Sequence, residues 1–357
     1  MMRDRGSRCC RRWGAAWQVV MSVLTLVVAS SLTVAGSSCS TSAVGPPPAD
    51  TTGPEQVDYV PGESYYGEHG YVEYIAGNLP IILSAGHGGH LMPSAIPDRT
   101  ADRCGGSATT VTDRNTREMT LMMSQAIVER LGGHPHVVIS HLHRRKLDPN
   151  RDLVEAACGN GLAEQAWREY HGFIDRARAD VAEAHGRGWY MDVHGHGHPY
   201  QRLELGYLLR RPDLALDDDA LTADDVFWRR SSIQTMVTAA TQLPALLRGE
   251  TSLGALYEEH GFPAVPSPTY PDPGDEPFFS GGYSTVRHTC TANAYLYGGH
   301  ADGPVCGVQL EANFHGVRDT EENRARFASA TAAVLEEFLA RAVMELETAG
   351  SYLMPHQ

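Results

Sequence analysis

The stretch PIILSAGHGGHLMP, residues 80–93, joins a strand-like segment to a loop that contains two histidines. Its apolar run at 81–83 is short and contains β-branched side chains, which is typical of a strand buried inside a sheet. His87 and His90 follow in a loop whose glycines keep the backbone small and bendable. Because functional groups in α/β proteins gather where strands end, this stretch predicts a buried strand that leads into a functional site.

The same alternation of strand and helix patterns continues toward the C-terminus. Apolar residues at helical spacing predict a helix that begins at Asn115 or Thr116 and ends at Gly132. Further strands are predicted at 136–142, 189–195 and 306–313, and further helices at 161–188 and about 320–346. This alternation predicts an α/β domain with a largely parallel or mixed sheet that helices cover on both faces. The proline-rich stretch 262–282 is predicted to form an ordered loop or a lid near the site.

The N-terminus has the pattern of an export signal. Five arginines precede an apolar stretch, and small residues follow it, so residues 1–36 are predicted to be a secretory signal peptide. The apolar stretch approaches spanning length, which leaves a retained membrane anchor as the alternative. Cys39 is a candidate for lipidation, which would tether the protein to a membrane. Residues 37–74, rich in Pro, Ser, Thr and Gly, are predicted to be a flexible linker before a globular domain at 75–350.

Composition and charge narrow the class of protein. The 357 residues are 42% hydrophobic, which is enough for one large domain after the N-terminal extension. The net charge is −14, and it becomes more negative when the arginine-rich signal is removed. Because nucleic-acid binding needs clustered basic residues, we predict no nucleic-acid partner.

Four cysteines remain beyond Cys39, and their even number in an exported chain predicts two disulfides. They are Cys104, Cys158, Cys290 and Cys306. The last two are the predicted pair because the loop between them is short. A cysteine zinc site would need close pairs, and none occurs after the signal. The predicted location is therefore periplasmic or extracellular.

A metal site is predicted around the strand at 189–195. Asp192 and His194 lie two residues apart on it, so both side chains point to one face. Histidine is a common zinc ligand, and a nearby carboxylate fixes its tautomer. A catalytic zinc needs three protein ligands and one open position. His87 and His194 supply two ligands; the third is His90, which the spacing H-x-x-H slightly favours, or Asp113.

Glu311 is the candidate general base. The strand pattern places Glu311 on one face with Gln309 and Asn313, and a glutamate that faces a metal cleft can take a proton from water and return it to a leaving amine. The motifs H-E-x-x-H and G-x-S-x-G are absent, which argues against a helix-borne zinc protease site and a serine hydrolase.

Taken together, the motifs resemble those of the N-formylglutamate amidohydrolase family, which is related to zinc carboxypeptidases and aspartoacylases. The matching segments, in chain order, are SAGHGGHLMP, TDRNT, RRKLDPNRD, YHGFID, MDVHGHGHP, GGY and VQLE. The resemblance spans about residues 79 to 345. It implies a zinc-peptidase-like three-layer α/β/α sandwich around a mixed, largely parallel sheet.

The resemblance also implies roles for individual residues. It places zinc (Zn2+) on His87, Asp113 and His194, so Asp113 replaces His90 as the third ligand. It makes Glu311 and Arg144 catalytic. It implies that Arg151, Asn150 and His171 bind the substrate.

The predicted function is that of an exported zinc amidohydrolase, with the hydrolase domain at 75–350. It would cleave an N-acyl (N-formylglutamate-like) or peptide amide next to a free carboxylate, and its partner would be a small N-acyl amino acid or a short peptide. Cytoplasmic members of the family lack the signal peptide and the paired cysteines. Two alternatives therefore stay open: a carboxypeptidase-type enzyme that trims peptides or cell walls, and a non-catalytic periplasmic zinc-binding protein.

Overall fold

A computed structural model of the chain describes residues 58–106, 108–237 and 242–351. The predicted signal peptide, Cys39 and the first part of the predicted linker lie outside these residues. The described residues belong to one compact unit.

The described residues contain one mixed sheet of eight strands in the spatial order β1-β2-β4-β3-β5-β8-β6-β7. The strands are β1 Ser64–Tyr66, β2 Val72–Ile75, β3 Ile81–Ala85, β4 His136–Ser140, β5 Gly188–Gly195, β6 Leu203–Gly206, β7 Ala264–Val265 and β8 Val305–Ala312. The four central strands β4, β3, β5 and β8 are parallel. Strands β1 and β2 extend the sheet antiparallel at one side, and β6 pairs antiparallel with β8 at the other. The carboxyl ends of the parallel strands therefore meet at one edge.

Helices cover both faces of the sheet. They are α1 Thr116–Leu131, α2 Leu153–Ala157, α3 Gly161–His185, α4 Arg211–Leu214, α5 Asp218–Thr222, α6 Val226–Arg230, α7 Leu243–Arg248, α8 Leu253–Glu259, α9 Tyr283–His288 and α10 Glu321–Ser351. Ile81 and Leu83 belong to the core that includes α1 and α10. Ile82, between them on β3, belongs to the core that includes α3. Because neighbouring residues of one strand face opposite cores, the three-layer α/β/α prediction is confirmed.

The predicted strands and helices within the sheet region are confirmed, with small shifts at their ends. The helix predicted from Asn115 or Thr116 begins at Thr116 and stops at Gly132, whose φ of 71° is left-handed. The long helix ends at His185 rather than at residue 188, and the final helix begins at Glu321.

The predicted linker 37–74 extends too far. Strands β1 and β2 lie inside it, and Val72 and Tyr74 are fully buried. Short strands between glycines give little periodic signal, which is why composition alone suggests a flexible segment here. The structured domain therefore starts before residue 75.

Both disulfide predictions are confirmed. Cys104 is bonded to Cys158, and Cys290 is bonded to Cys306. Disulfides persist in oxidising compartments, which agrees with an exported protein. None of the helices in the described part of the chain is both long enough and apolar enough to span a bilayer.

Candidate metal centre

Three side chains from separate parts of the sequence converge at the carboxyl edge of the sheet. His87 lies in the loop after β3, Asp113 lies just before α1, and His194 lies near the end of β5. The Nδ1 atoms of the two histidines are 3.0 Å apart, and each is 3.2 Å from Asp113 Oδ2. All three residues are buried, so few water molecules compete for these atoms.

A buried carboxylate lies behind each of these two histidines. Asp148 Oδ1 is 2.6 Å from His87 Nε2, and Asp192 Oδ2 is 3.1 Å from His194 Nε2. Each carboxylate accepts a hydrogen bond from an Nε2–H group, so the hydrogen-bond pattern leaves both Nδ1 atoms free to bind a cation. Carboxylate–histidine pairs of this kind orient zinc ligands and raise their basicity. Asp192 is itself fixed, because Ser84 Oγ donates a 2.8 Å hydrogen bond to its Oδ1.

The spacing of the three ligand atoms fits zinc. Tetrahedral zinc with bonds of about 2.0–2.1 Å holds its ligand atoms about 3.3 Å apart. The three observed separations of 3.0–3.2 Å between the Nδ1 atoms and Asp113 Oδ2 are close to that value. Two nitrogens and one carboxylate oxygen also form a ligand set that zinc commonly uses.

The electrostatics of the site favour a cation. Burial alone would raise the pKa of Asp113, but His87 and His194 hold the pKa of this carboxyl far below its ordinary value. Burial alone would lower the pKa of His194, but Asp192 and Asp113 raise it well above the ordinary histidine value. Both shifts show that positive charge is stabilised between these groups, which is the charge that a metal ion would supply.

His90 does not belong to this centre. Its side chain is 61% exposed, and its closest charged neighbour is Glu118, at 3.6 Å. The spacing argument for His90 is therefore wrong: close sequence spacing predicts proximity only on a regular element, and His90 lies beyond the loop glycines, where the chain has turned away.

Glu311 lies beside the centre on β8, where it pairs in register with His194 of β5. Its side chain is buried, and Gln309 Nε2 donates a 2.9 Å hydrogen bond to its Oε1. The pKa of Glu311 is raised to about 8, mainly by burial; His194 lowers it, and the nearby acids Asp113 and Glu204 raise it. A carboxyl group in this range can both take and release a proton near neutral pH.

Arg144 and Asn150 both contact the residues around the three ligands. Arg144 Nε donates a 2.9 Å hydrogen bond to Asp148 Oδ2, and its Nη1 lies 3.6 Å from Asp113 Oδ1. Asn150 Nδ2 is 3.4 Å from His194 Nε2. Arg144 therefore supports the carboxylates behind and among the ligands. Asn150 only lies beside His194, because its Nδ2 is a donor and His194 Nε2 already donates to Asp192. The catalytic and substrate-binding roles of Arg144 and Asn150 stay predictions.

Arg151 and His171 lie farther from the three ligands. Arg151 pairs with Glu155 at 3.1 Å and donates to the Asn150 carbonyl. His171 is buried, with Nδ1 2.7 Å from His288 Nε2 and Nε2 3.1 Å from the Pro149 carbonyl. Both ring nitrogens of His171 thus have protein partners. The substrate-binding roles of Arg151 and His171 stay predictions.

A cleft of about 480 Å³ opens beside the centre. Asp113 lies in its wall together with Arg114, His198, Gln201, Phe314 and His315. The guanidinium of Arg114 lies over the Phe314 ring, 4.6 Å from its centroid. The basic side chains in this wall make it a suitable place for an anionic group.

Arg318 joins the loops around the centre, a role that the sequence does not predict. Its buried guanidinium donates to the carbonyls of Ala312, Arg114 and His196. These carbonyls belong to the end of β8, to the residue after Asp113 and to the segment after His194. Sequence offers no signal for this role, because one arginine after a strand has many ordinary functions.

Several solved structures are similar to this chain, whereas no protein-family model and no curated protein sequence matches it. An N-formylglutamate amidohydrolase from Ralstonia eutropha JMP134 is 13% identical, with a TM-score of 0.41 over 75% of this chain and 94% of that chain. A gene product from Agrobacterium tumefaciens is 16% identical, with a TM-score of 0.40 over 77% and 94%. The apo form of an N-acetylmuramyl-L-alanine amidase from Mycobacterium abscessus is 14% identical, with a TM-score of 0.31 over 72% and 98%.

Proposed function

We propose that this protein is an exported, zinc-dependent hydrolase that cleaves an amide bond next to a free carboxylate. The observation that carries the proposal is the convergence of His87 Nδ1, Asp113 Oδ2 and His194 Nδ1, with a buried carboxylate behind each histidine. A site that only stored metal would not need a buried glutamate with a raised pKa beside the ligands, and Glu311 provides one. The two disulfides support export.

In this proposal the metal and the residues around it have different roles in amide hydrolysis. When bound, zinc supplies Lewis acidity toward a carbonyl oxygen or a water molecule. The Glu311 carboxylate takes a proton from the attacking water and then delivers it to the leaving nitrogen. Asp148 and Asp192 keep the imidazoles of His87 and His194 oriented throughout.

The cleft supports an anionic substrate. Arg114 forms no ion pair within the described residues, and its contact with Phe314 holds the guanidinium in the cleft wall. A guanidinium binds a carboxylate through two parallel hydrogen bonds. An N-acyl amino acid or a short peptide would place its free carboxylate here while its amide reaches the metal ligands.

The test compares Glu311→Gln with wild-type protein on N-formylglutamate, other N-acyl amino acids and short peptides. Loss of the proton shuttle should lower turnover by about 10²–10⁴-fold. Zinc content and the far-UV circular dichroism spectrum should stay near wild type. Glu118→Gln, the same substitution at a site outside the three ligands, is the matched control and should keep full activity.

The substrate panel also separates the proposal from its alternatives. Turnover of peptides alone would indicate a carboxypeptidase-type enzyme. Wild-type protein that is fully loaded with zinc and hydrolyses none of these amides would contradict the proposal and identify a zinc-binding protein.

A further inference from the structure

A second group of metal-ligating side chains lies close to the first. His196 and His198 follow β5, and Glu204 lies on β6. One ligand atom from each of these three residues lies within 4.8 Å of the others. Glu204 Oε1 is 2.6 Å from His198 Nδ1 and 3.9 Å from His196 Nδ1. None of the three belongs to the centre formed by His87, Asp113 and His194.

His196 has the tautomer that a metal ligand needs. Its buried ring lies with Nε2 2.8 Å from the Arg202 carbonyl, so the ring proton is on Nε2. Nδ1 therefore carries a lone pair. It accepts only the backbone N–H of His198, at 3.1 Å.

Glu204 is a buried carboxylate that pairs with no arginine or lysine among the described residues, although the charge of Arg202 acts on it from farther away. Only 2% of the residue is exposed, and its Oε2 accepts a 2.8 Å hydrogen bond from the Phe279 backbone N–H. Among the described residues, its ion pairs are with His196 and His198, and these are charged only when protonated. Burying a carboxylate without a cation is costly, and a divalent ion would offset that cost.

His198 gives an ion a route into this group. Its ring stacks on Phe279, with 4.8 Å between the ring centroids, which holds the side chain in place. The side chain is 20% exposed and lies in the wall of the cleft. An ion can therefore enter from the same cleft that leads to the first centre.

We propose that His196 Nδ1, His198 Nδ1 and Glu204 Oε1 bind a second divalent transition-metal ion. Two imidazoles and one carboxylate suit zinc, nickel or copper, whereas magnesium and calcium prefer oxygen ligands. Binding must break the hydrogen bond from the His198 backbone N–H to His196 Nδ1. It must also separate His198 Nδ1 from Glu204 Oε1 beyond their present 2.6 Å. The second ion should therefore bind more weakly than the first.

The two ions would lie on opposite sides of Glu311. Strand β8 runs between β5 and β6, and Glu311 is in register with His194 on one neighbour and with Glu204 on the other. The proposed site is thus separate from the three ligands of the first ion. Its occupancy can be measured without any assay of hydrolysis.

The experiment measures Zn2+ binding by the full chain in equilibrium dialysis, after free thiols are alkylated so that cysteines do not contribute. Wild-type protein should bind two equivalents, the second more weakly, and excess Mg2+ should displace neither. His198→Ala and Glu204→Gln should each remove the weaker equivalent and keep the tighter one. His87→Ala should remove the tighter equivalent and keep the weaker one.

His315→Ala is the matched control, because His315 is an exposed histidine of the same cleft and should be dispensable for both equivalents. Circular dichroism checks folding, and His198→Ala decides the outcome if Glu204→Gln does not fold. Binding of a single equivalent by wild-type protein would overturn the proposal. So would retention of both equivalents by His198→Ala.

Discussion

The guanidinium of Arg318 occupies the space next to Gly195 in which any larger residue would place its Cβ. Gly195 directly follows the metal ligand His194, and Arg318 ties together three backbone segments around the centre. The absence of a side chain at residue 195 is therefore a requirement for closing these loops over the ligands.

Gly195→Ala should displace Arg318 and destabilise the protein by about 1–3 kcal/mol, the usual cost of overpacking. It should also weaken zinc binding, because the loop that carries Asp113 would lose its contact with Arg318. Urea unfolding and zinc titration measure the two effects. Gly197→Ala is the control, since a Cβ there meets nothing within 4 Å. Equal stability of the two variants would show that Arg318 does not depend on Gly195.

Asp192→Asn should lower zinc affinity by about 10–100-fold, the usual effect of removing a carboxylate behind a histidine ligand. The amide keeps the size of the side chain but lacks the negative charge that raises the basicity of the His194 imidazole. Asp148→Asn should act in the same way through His87. Competition with a chelator measures the affinity. Asp180→Asn, on α3 and away from the centre, should leave it unchanged, and an unchanged affinity in Asp192→Asn would contradict the orienting role.

Glu73 on β2 should make the free energy of unfolding depend on pH under acidic conditions. A hydrogen bond from His141, 3.0 Å away, and bonds from Ser64 and Tyr66 lower the pKa of Glu73 to about 2. A lowered folded-state pKa stabilises the fold above the ordinary value of 4.5, and this contribution is lost as the pH falls from about 4.5 to about 2.

Glu73→Gln should therefore reduce the free energy of unfolding at pH 7 by about 1.5–3 kcal/mol, the range for hydrogen bonds to charged groups. The difference from wild type should shrink as the pH is lowered from about 4.5 to about 2. Denaturant unfolding at a series of pH values measures this. A difference that stays constant across that window would show that Glu73 is not ionised in the folded state.

Much of this fold could be predicted from the sequence because its central strands and long helices have strong periodic patterns. The run at 81–83 and the alternation around Glu311 each identify a strand and a face. Strands β1 and β2 give no such pattern, because three or four residues between glycines are too few to show a period. The helices between Arg211 and Glu259 are likewise too short to show a helical period in the sequence.

The candidate site could be predicted only in part. His87 and His194 follow from their position at strand ends. Asp113 is one of two candidates for the third ligand, and only the resemblance prefers it to His90, because its approach to the histidines depends on a long loop. Asp148 lies in the segment RRKLDPNRD, but its hydrogen bond to His87 joins residues 61 apart and is fixed by the packing of two strands. Tertiary contacts of that kind leave no local pattern.

The most direct test is the content of tightly bound zinc in Asp113→Ala and His90→Ala after dialysis against a chelator that removes weakly bound ions. If His87, Asp113 and His194 form the centre, Asp113→Ala should lose the tight equivalent while His90→Ala keeps it at the wild-type level. Loss of tight zinc in His90→Ala together with its retention in Asp113→Ala would contradict the assignment of the centre.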